Sequence, residues 1–215
     1  MPMREDVVLG MVFDDIQFEQ GANGGLLGVG SVGSVYRATY KGQQVAVKVM
    51  TQAVVDGSFQ GSEPVDQDSL HHEFQLLSRL SHPNVVHLYG GCLRPPRLFI
   101  VEELMAATLS NTIHGHKRLS LHRALLVALD IARGLAYLHS LNITEAGTVA
   151  YMAPECFNPD IGGLTAKCDI FSLAVIMWEL VTGEFPWEGT TNMAIIYRVA
   201  VQGVRNPLPD DPQPL

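Results

Sequence analysis

The sequence has few cysteines, few basic residues and no long apolar run, and each shortage excludes a class of protein. Its 215 residues include three cysteines, an odd number without a CxxC pair. This argues against a disulfide framework or a zinc site and is typical of reduced, mostly buried thiols. His114 and His116 lie one residue apart with no third ligand in view, so a solvated loop is favoured over a metal site.

Basic residues are outnumbered by acidic ones. The chain has 14 Lys and Arg against 22 Asp and Glu, a formal net charge of −8. This balance disfavours nucleic acid or an anionic membrane as a partner, because their phosphates would repel the chain.

Membrane and secretion signals are also missing. The most apolar stretch, IFSLAVIMWELV, is too short to cross a bilayer and contains Glu179. The opening MPMREDVVLGMVFDD carries acids after its short apolar run and lacks a cleavage site for export. We therefore expect a cytoplasmic protein without a membrane span. With 47% hydrophobic residues, it can still bury a substantial core.

The first half of the chain is typical of β-structure. The runs GSVYRATY and QQVAVKVM flank Lys41-Gly42, a pair that suits a hairpin turn. A polar loop over residues 55–69 precedes a predicted helix that Ser69 caps and Pro83 ends. Two more strand-like runs follow, VVHLYG and RLFIVEEL.

From Ser120 onward, helical periodicity dominates. One face of a helix of about twenty residues is predicted by apolar residues at helical spacing: Leu121, Leu125, Ala128, Ala132 and Leu135. A second helix, from Asp169 to Val181, is apolar nearly all round, so we expect it to be buried. The pattern predicts an α+β fold with an amino-terminal extension over 1–20, a β lobe with one helix over 21–105, and a helical lobe over 106–215.

A glycine-rich segment, LGVGSVGSV, contains Gly28, Gly30 and Gly33. Glycines let backbone amides come close to phosphate oxygens. A Gly-rich hairpin or a dinucleotide fingerprint would share this pattern. The dinucleotide fingerprint opens directly into a helix, whereas here VYRATY continues as a strand, which disfavours that alternative.

Lys48 lies within the strand-like VAVK, and Glu73 lies on the predicted helix beyond it. A lysine buried in a strand needs a negatively charged group nearby, which phosphates and Glu73 could both supply. If each residue is considered alone, the simpler interpretation is that Lys48 is exposed on the surface and that Glu73 is a solvated helix glutamate.

Taken together and in this order, GxGxxGxV, VAVK, a helix glutamate and SRLSHPNVV resemble the protein kinase family over most of the chain. The resemblance implies a bilobal kinase-like fold that binds ATP. It implies phosphate contacts from the glycines and Lys48, an ion pair between Lys48 and Glu73, and an adenine site against Val35 and Ala46. The residues that it assigns to ATP are Leu27, Gly28, Gly30, Gly33, Val35, Ala46, Lys48, Glu73, Glu103 and Met105. Glu102 departs from the pattern, because the family usually has an uncharged residue there.

Two later segments extend the resemblance. GTVAYMAPE is similar to the end of the activation segment of serine/threonine kinases, where Thr148 would help position the catalytic loop and the acceptor hydroxyl. KCDIFSLAVIMWELVTGEFPWEG resembles the central helix of the large lobe, where Asp169 would hold the catalytic loop or simply cap the helix. The residues of these segments are most similar to those of the tyrosine-kinase-like branch of serine/threonine kinases, the Raf-like and mixed-lineage kinases.

The catalytic segment of the family is missing. The sequence contains no His-Arg-Asp and no Asp-Phe-Gly, and Ile143 runs directly into Thr144 where both should lie. The resemblance therefore implies no catalytic aspartate and no ligands for Mg²⁺ in this chain. Residues 140–146 span at most about 25 Å at about 3.5 Å each, enough to reconnect two helical pieces but not to build a metal site. We expect no useful phosphate transfer.

The family also continues past the DDPQPL at which the sequence stops, with further helices and an arginine that pairs with the glutamate of APE. We therefore expect an incomplete helical lobe in which Glu155 lacks its partner. An unpaired buried carboxylate is destabilising, so this region should be exposed or loosely packed.

Three interpretations of function follow. The chain is a working serine/threonine kinase, a pseudokinase that binds nucleotide or serves as a scaffold for signalling partners, or an incomplete product of a kinase gene through splicing or a missed coding segment. The loss of one contiguous block between intact motifs favours the third. The expected partners are a nucleotide and a protein substrate or signalling partner.

Overall fold

A computed structural model describes residues 11, 13–21, 24–29, 33–50, 77–92, 98–115, 119–144, 147–158 and 164–208. Contacts between Cα atoms divide the chain into two compact units, Met1–Ala106 and Ala107–Leu215. In the described ranges the first unit contains six strands and the second contains four α-helices. The predicted α+β class is confirmed. The helix predicted to begin at Ser69 falls mostly outside the described residues, and Glu73 lies outside them entirely.

The first unit is one antiparallel sheet with the strand order β1-β3-β4-β6-β5, and β2 pairs with β3 beside this path. Its strands are β1 (Ile16–Phe18), β2 (Leu26–Val29), β3 (Gly33–Tyr40), β4 (Gln43–Met50), β5 (Leu88–Cys92) and β6 (Phe99–Glu103). The runs GSVYRATY and QQVAVKVM coincide with β3 and β4, and RLFIVEEL contains β6. VVHLYG overlaps β5 only at its end.

The hairpin between β3 and β4 is confirmed at Lys41-Gly42. Both residues have positive φ, 49° and 81°, and the flanking pair is Tyr40 with Gln43. A two-residue turn with both φ values positive matches the right-handed twist of the strands that it joins. Glycine adopts this conformation without steric cost, which explains its place here.

The core of the sheet lies on one face. Val45 and Val47 of β4 are fully buried there, together with Phe99 and Val101 of β6. Met11, Ile16 and the partly buried Phe13 and Phe18 pack against this face, so the segment from residue 11 joins the sheet although it falls within the predicted extension. Because side chains alternate along a strand, Ala46 and Lys48 lie on the opposite face.

The helices of the second unit are α1 (Leu109–Ile113), α2 (Leu121–Ser140), α3 (Ala166–Thr182) and α4 (Asn192–Ile196). Ser120 caps α2 as its hydroxyl accepts from the Arg123 N–H at 3.4 Å. Thr165 caps α3, because its hydroxyl accepts from the Lys167 N–H at 3.3 Å. The alternative of Asp169 as N-cap is therefore wrong, since this residue lies one turn inside the helix.

The predicted buried face of α2 is partly wrong. Ala124 and Ala128 are buried against Ile113 and Leu180, whereas Leu125 is 53% exposed. Small side chains let α2 and α3 approach closely, so the alanines form the contact and the leucines one position away do not. Periodicity found the helix and placed Ala128 correctly on its buried face, but it also placed Leu121 and Leu125 there, which are exposed.

Helix α3 is also less buried than its composition predicts. Cys168, Val175, Glu179 and Leu180 are buried, but Ile170 and Val181 are about half exposed, at 50% and 51%. In the described part of the chain, neighbouring elements cover one side of this helix. None of the helices within the described ranges has the length and apolar character that a membrane span needs.

We expect Val47→Ala to lower the free energy of unfolding by about 2 kcal/mol, because it removes two methyl groups from a fully buried site and leaves a cavity. Urea unfolding followed by circular dichroism measures this change. Val29→Ala is the matched control, since Val29 is 74% exposed and its loss should cost less than about 0.5 kcal/mol. Equal effects of the two substitutions would contradict the assigned core face.

Candidate functional site

Strand pairing brings three of the residues assigned to ATP onto one face of the sheet. Val35 lies opposite Lys48, and Lys48 lies opposite Ile100. Ala46 lies opposite Glu102. Directly paired residues in antiparallel strands project to the same side, so all five share the face away from the core. Each is partly buried.

Lys48 has an acidic neighbour on this face. Glu102 pairs with Ala46, two residues before Lys48, which makes it a diagonal cross-strand neighbour of the lysine. Burial raises the pKa of the Glu102 carboxyl, and the positive charge of Lys48 lowers it by a smaller amount. The sequence pattern shows Glu102 only as a departure from the family. Its proximity to Lys48 follows from the pairing of β4 with β6, which the sequence does not specify.

In the glycine-rich segment, the fold requires glycine at Gly33, whereas Gly28 has open space beside it. A Cβ atom on Gly33 would lie 2.2 Å from the Val49 carbonyl oxygen, so the close approach of β4 requires glycine there. A Cβ on Gly28 would meet no atom within 4 Å among the described residues. Leu27 is exposed, and Gly30 lies outside the described residues. The space beside the Gly28 Cα is thus open among the described residues, as the close approach of a phosphate to the backbone needs.

Glu103 and Met105 lie at the end of the sheet unit. The Glu103 N–H donates to the His87 carbonyl at 2.9 Å, and its carboxylate accepts from the His87 N–H at 3.3 Å. Glu103 pairs with Val45 and therefore lies on the core side of β6, although it is exposed there. Met105 is also exposed.

The residues of the sheet fit a nucleotide but not its metal ion. Val35 and Ala46 provide apolar surface beside the cation of Lys48, the combination that an adenine ring and phosphates require. The carboxylate and amide ligands that the family uses for Mg²⁺ are missing from the sequence. Among the described residues, no three His, Cys, Asp or Glu side chains gather in a way that could hold a metal ion.

In the helical unit, the segment around Tyr151 packs along α3. The Tyr151 carbonyl accepts from the Ser172 hydroxyl at 2.9 Å, and the Tyr151 hydroxyl donates to Glu179 Oε2 at 2.8 Å. Glu179 is 4% exposed. Burial, followed by the hydrogen bond and charge of Glu179, raises the pKa of the Tyr151 hydroxyl to about 12.

His114 supplies the second partner of Glu179. Its Nε2 lies 2.7 Å from Glu179 Oε1, and its ring stacks on Phe185 with centroids 3.5 Å apart. The predicted solvated loop at His114 is therefore wrong. A buried carboxylate needs hydrogen-bond partners, and the histidine comes from a region distant in sequence, which residue spacing could not indicate.

The Asp169 carboxylate is also occupied. Its Oδ2 lies 2.8 Å from His139 Nε2, near the end of α2. The residue assigned to hold a catalytic loop thus joins α2 to α3 directly. Thr148 is exposed and precedes a 3-10 turn, Val149–Tyr151, without a side-chain capping bond.

The prediction of an exposed or loosely packed segment around Glu155 is wrong. Residues 151–158 are all buried or partly buried, and Ala153 is fully buried. The thiol of Cys168 donates a weak hydrogen bond to Glu155 Oε1 at 3.8 Å. Contacts with α3 therefore hold this segment without the arginine that the family places there.

A family model described as the protein kinase domain matches the chain in two segments, residues 22–145 and 143–210. The two matches together cover most of the chain. They overlap at residues 143–145, where Ile143 runs into Thr144.

Curated relatives match the same region. Mitogen-activated protein kinase kinase kinase 10 of Mus musculus is 29% identical over 249 positions, covering 94% of this chain and 25% of the relative. Mitogen-activated protein kinase kinase kinase 11 of Homo sapiens is 30% identical, covering 94% and 28%. The probable serine/threonine-protein kinase SIS8 of Arabidopsis thaliana is 31% identical, covering 91% and 22%.

The chain spans about a quarter of the length of these relatives. The first alignment, at 249 positions, is longer than the chain of 215 residues, so positions of the relative face gaps in this chain.

We expect Tyr151→Phe to lower the free energy of unfolding by about 1–3 kcal/mol, because it removes a hydrogen bond to the buried carboxylate of Glu179. Urea unfolding measures the loss. Tyr197→Phe is the matched control, since Tyr197 is 55% exposed and should change stability by less than about 0.5 kcal/mol. A loss no larger than the control's would contradict the assigned contact.

The raised pKa of Tyr151 predicts how the stability of the fold changes at alkaline pH. Its folded pKa of about 12 exceeds the ordinary value of 10.0, so the unfolded state loses the proton first as pH rises. The stabilisation is present below pH 10 and is lost as pH rises toward 12. Tyrosinate absorbance should show a late-titrating component that Tyr151→Phe lacks. Its persistence in that variant would contradict the assignment.

Proposed function

This chain belongs to the protein kinase family and is similar to serine/threonine kinases, and we propose that it is a kinase-like domain that binds nucleotide without transferring phosphate. The observation that carries the proposal is the shared face of Val35, Ala46 and Lys48 in a chain without His-Arg-Asp or Asp-Phe-Gly. Residues 21–105 would serve as the nucleotide lobe and 106–215 as the helical lobe.

Nucleotide binding rests on the sheet face away from the core. Val35 and Ala46 would contact the adenine ring, and Lys48 would contact the phosphates together with the amides of the glycine-rich segment. The remaining assigned contacts are Leu27, Gly28, Gly30, Gly33, Glu73, Glu103 and Met105. The proposed nucleotide is ATP, which the family generally uses as its phosphoryl donor.

Glu102 modifies this site. Its carboxyl lies diagonal to Lys48, and the two charges attract each other. When phosphates approach, Glu102 competes with them for the lysine, and burial of Glu102 limits this competition by favouring its neutral form. We therefore propose that nucleotide binding is weaker than in a chain with an uncharged residue at this position.

Phosphate transfer would fail for two reasons. The family uses an aspartate to orient the acceptor hydroxyl, and the loss of such a group typically costs about 10²- to 10⁴-fold in rate. The chain also lacks the aspartate and asparagine that hold Mg²⁺, which leaves the triphosphate charge uncompensated. By the family resemblance Thr148 would help position the acceptor hydroxyl, but it would supply neither function.

The helical lobe is proposed to fold without the catalytic loop. His139 and Asp169 join α2 to α3 at 2.8 Å, and Tyr151, Ser172 and Glu179 hold the end of the activation segment. A folded helical lobe supports a role as an interaction module for a signalling partner in the cytoplasm.

The missing block also suggests an origin. The two family-model matches meet at residues 143–145, and the motifs on both sides are intact. Gradual loss of activity would leave altered residues in place, whereas a skipped coding segment removes a contiguous block. We therefore favour an incomplete gene product over a pseudokinase that has drifted. The transcript across the Ile143 and Thr144 codons separates the two: coding sequence for both missing motifs would support the first.

We expect saturating ATP to raise the melting temperature of the chain by several degrees, because a ligand at about 100 times its dissociation constant stabilises by about 2.7 kcal/mol. Differential scanning fluorimetry with and without magnesium measures the shift. Lys48→Met should abolish most of it. Lys41→Met is the matched control, since Lys41 lies in the β3–β4 turn and is exposed. No shift in the unmodified chain would overturn nucleotide binding.

We expect no transfer of labelled phosphate from ATP to generic protein substrates or to the chain itself, because the residues that orient the acceptor and hold magnesium are missing. A transfer assay with purified protein measures this. Activity that Lys48→Met abolishes would overturn the proposal, since it would show that this site catalyses the reaction. Activity unchanged by Lys48→Met would point to a contaminating kinase and leave the expected result in force.

A further inference from the structure

A cavity of about 320 Å³ lies within the second unit, whereas every residue assigned to ATP belongs to the first. Helix α3 forms one wall with Phe171, Val175 and Trp178, and Trp187 and residues 205–208 form the others. Ligand sites in proteins are typically concave, have volumes of about 300–1,000 Å³, and combine apolar and aromatic walls with a few polar groups. This cavity has these properties and no role in the proposed nucleotide site.

Three aromatic side chains, Phe171, Trp178 and Trp187, supply flat surface in the cavity. The Trp178 indole is fixed because its Nε1–H donates to the Pro207 carbonyl at 2.6 Å. Trp187 has a φ of 59°, a left-handed conformation that is rare for a bulky residue and persists only where the surroundings hold it. Fixed rings of this kind favour an aromatic ligand, because aromatic rings attract one another in offset and edge-to-face contacts.

Arg205 is the charged residue among the described residues that line the cavity, and it is exposed, so a ligand from solution can reach it. Its guanidinium carbon lies 5.2 Å from the centre of the Phe171 ring. Its Nη1 donates to the Val199 carbonyl at 3.2 Å and to the Val204 carbonyl at 2.9 Å. These contacts orient the guanidinium, and within the described ranges no carboxylate forms an ion pair with it. A guanidinium has five N–H donors, so Nη2 and Nε remain available to a ligand.

We propose that this cavity binds a small aromatic carboxylate, whose ring packs against Trp178 and Trp187 and whose carboxylate accepts hydrogen bonds from Arg205. The planar guanidinium matches the geometry of a carboxylate. Its single positive charge also balances the single negative charge of a carboxylate, whereas a phosphate dianion would keep an uncompensated charge beside apolar walls. A cationic ligand is disfavoured, because the described lining residues include no Asp or Glu.

Tryptophan emission reports directly on this site, because the sequence has two tryptophans and both line the cavity. The probe is hydrocinnamate, a phenyl ring with a short chain that ends in a carboxylate, and it absorbs at shorter wavelengths than tryptophan. Hydrocinnamate should change the emission in a saturable way, and calorimetry should give the same dissociation constant. Hydrocinnamamide has nearly the same shape without the charge, and we expect it to bind about tenfold more weakly or worse, since hydrogen bonds to charged groups are the stronger ones.

Two results with these compounds would overturn the proposal. One is equal affinity for the acid and the amide, which would show that Arg205 does not recognise the charge. The other is the absence of saturable hydrocinnamate binding by both emission and calorimetry.

Variants locate the binding. Arg205→Gln should weaken hydrocinnamate binding about tenfold or more and change amide binding little. Ala174→Phe fills the cavity from an exposed position on α3 and should abolish the binding of both compounds, which keeps the test valid if Arg205→Gln folds poorly. Arg133→Gln is the matched control and should bind normally, because Arg133 is exposed on α2 and pairs with Asp130. Unchanged affinity in Ala174→Phe would contradict the proposed location.

A final comparison separates this site from other occupants and from the nucleotide face. Lys48→Met should bind hydrocinnamate as the unmodified chain does, whether or not nucleotide binding is confirmed. Loss of binding in Lys48→Met would overturn the proposal, because the carboxylate would then occupy the nucleotide face. If another copy of the chain fills the cavity instead, tryptophan emission would change on dilution without any added carboxylate, and this result would also overturn the proposal.

Discussion

The alternation of side chains along β4 is the constraint on which the first unit depends. Val45 and Val47 are fully buried in the sheet core, and Ala46 and Lys48 occupy the other face. A shift of one residue in the pairing of this strand would bury Lys48 among apolar side chains and expose both valines, at a cost of several kcal/mol for the unpaired charge. The same pairing therefore stabilises the sheet and orients its candidate nucleotide face. Because β4 lies between β3 and β6, it also brings Val35 and Glu102 to Lys48 from opposite sides.

In the second unit, the buried carboxylate of Glu179 and the partly buried carboxylate of Asp169, both on α3, have a comparable importance. Glu179 is almost fully buried and is shared between His114 and Tyr151, and Asp169 is held by His139. Buried carboxylates are costly unless each oxygen finds a partner. These partners come from the end of α1, from α2 and from the segment after Thr148. The apolar core also joins α1 and α2 to α3. Helix α3 thus serves as the common support of this unit.

The missing catalytic segment carries the groups that the family uses for phosphate transfer, but the described residues pack without it. The residues on both sides of Ile143 and Thr144 keep their family motifs, and the described residues there pack without the absent loop. Asp169, whose assigned role is to hold that loop, contacts a histidine of α2 instead. A fold can close over a missing segment because packing depends on many contacts that tolerate change. Phosphate transfer depends on a few groups in fixed positions, and for that reason we propose that this chain does not transfer phosphate.

The sequence by itself determined the motifs, the hairpin, the long helices and the missing catalytic block. These features depend on local periodicity, turn chemistry and residue order, as Lys41-Gly42 and the Ser120 cap illustrate. Tertiary structure alone decided which faces are buried and which distant residues meet. Ala124 rather than Leu125 contacts α3, because close helix packing selects small side chains. Glu102 lies beside Lys48 because of the strand order, and His114 meets Glu179 because of the packing around α3. Contacts between residues far apart in the chain carry no periodic signal in one sequence, and that is why only the folded chain reveals them.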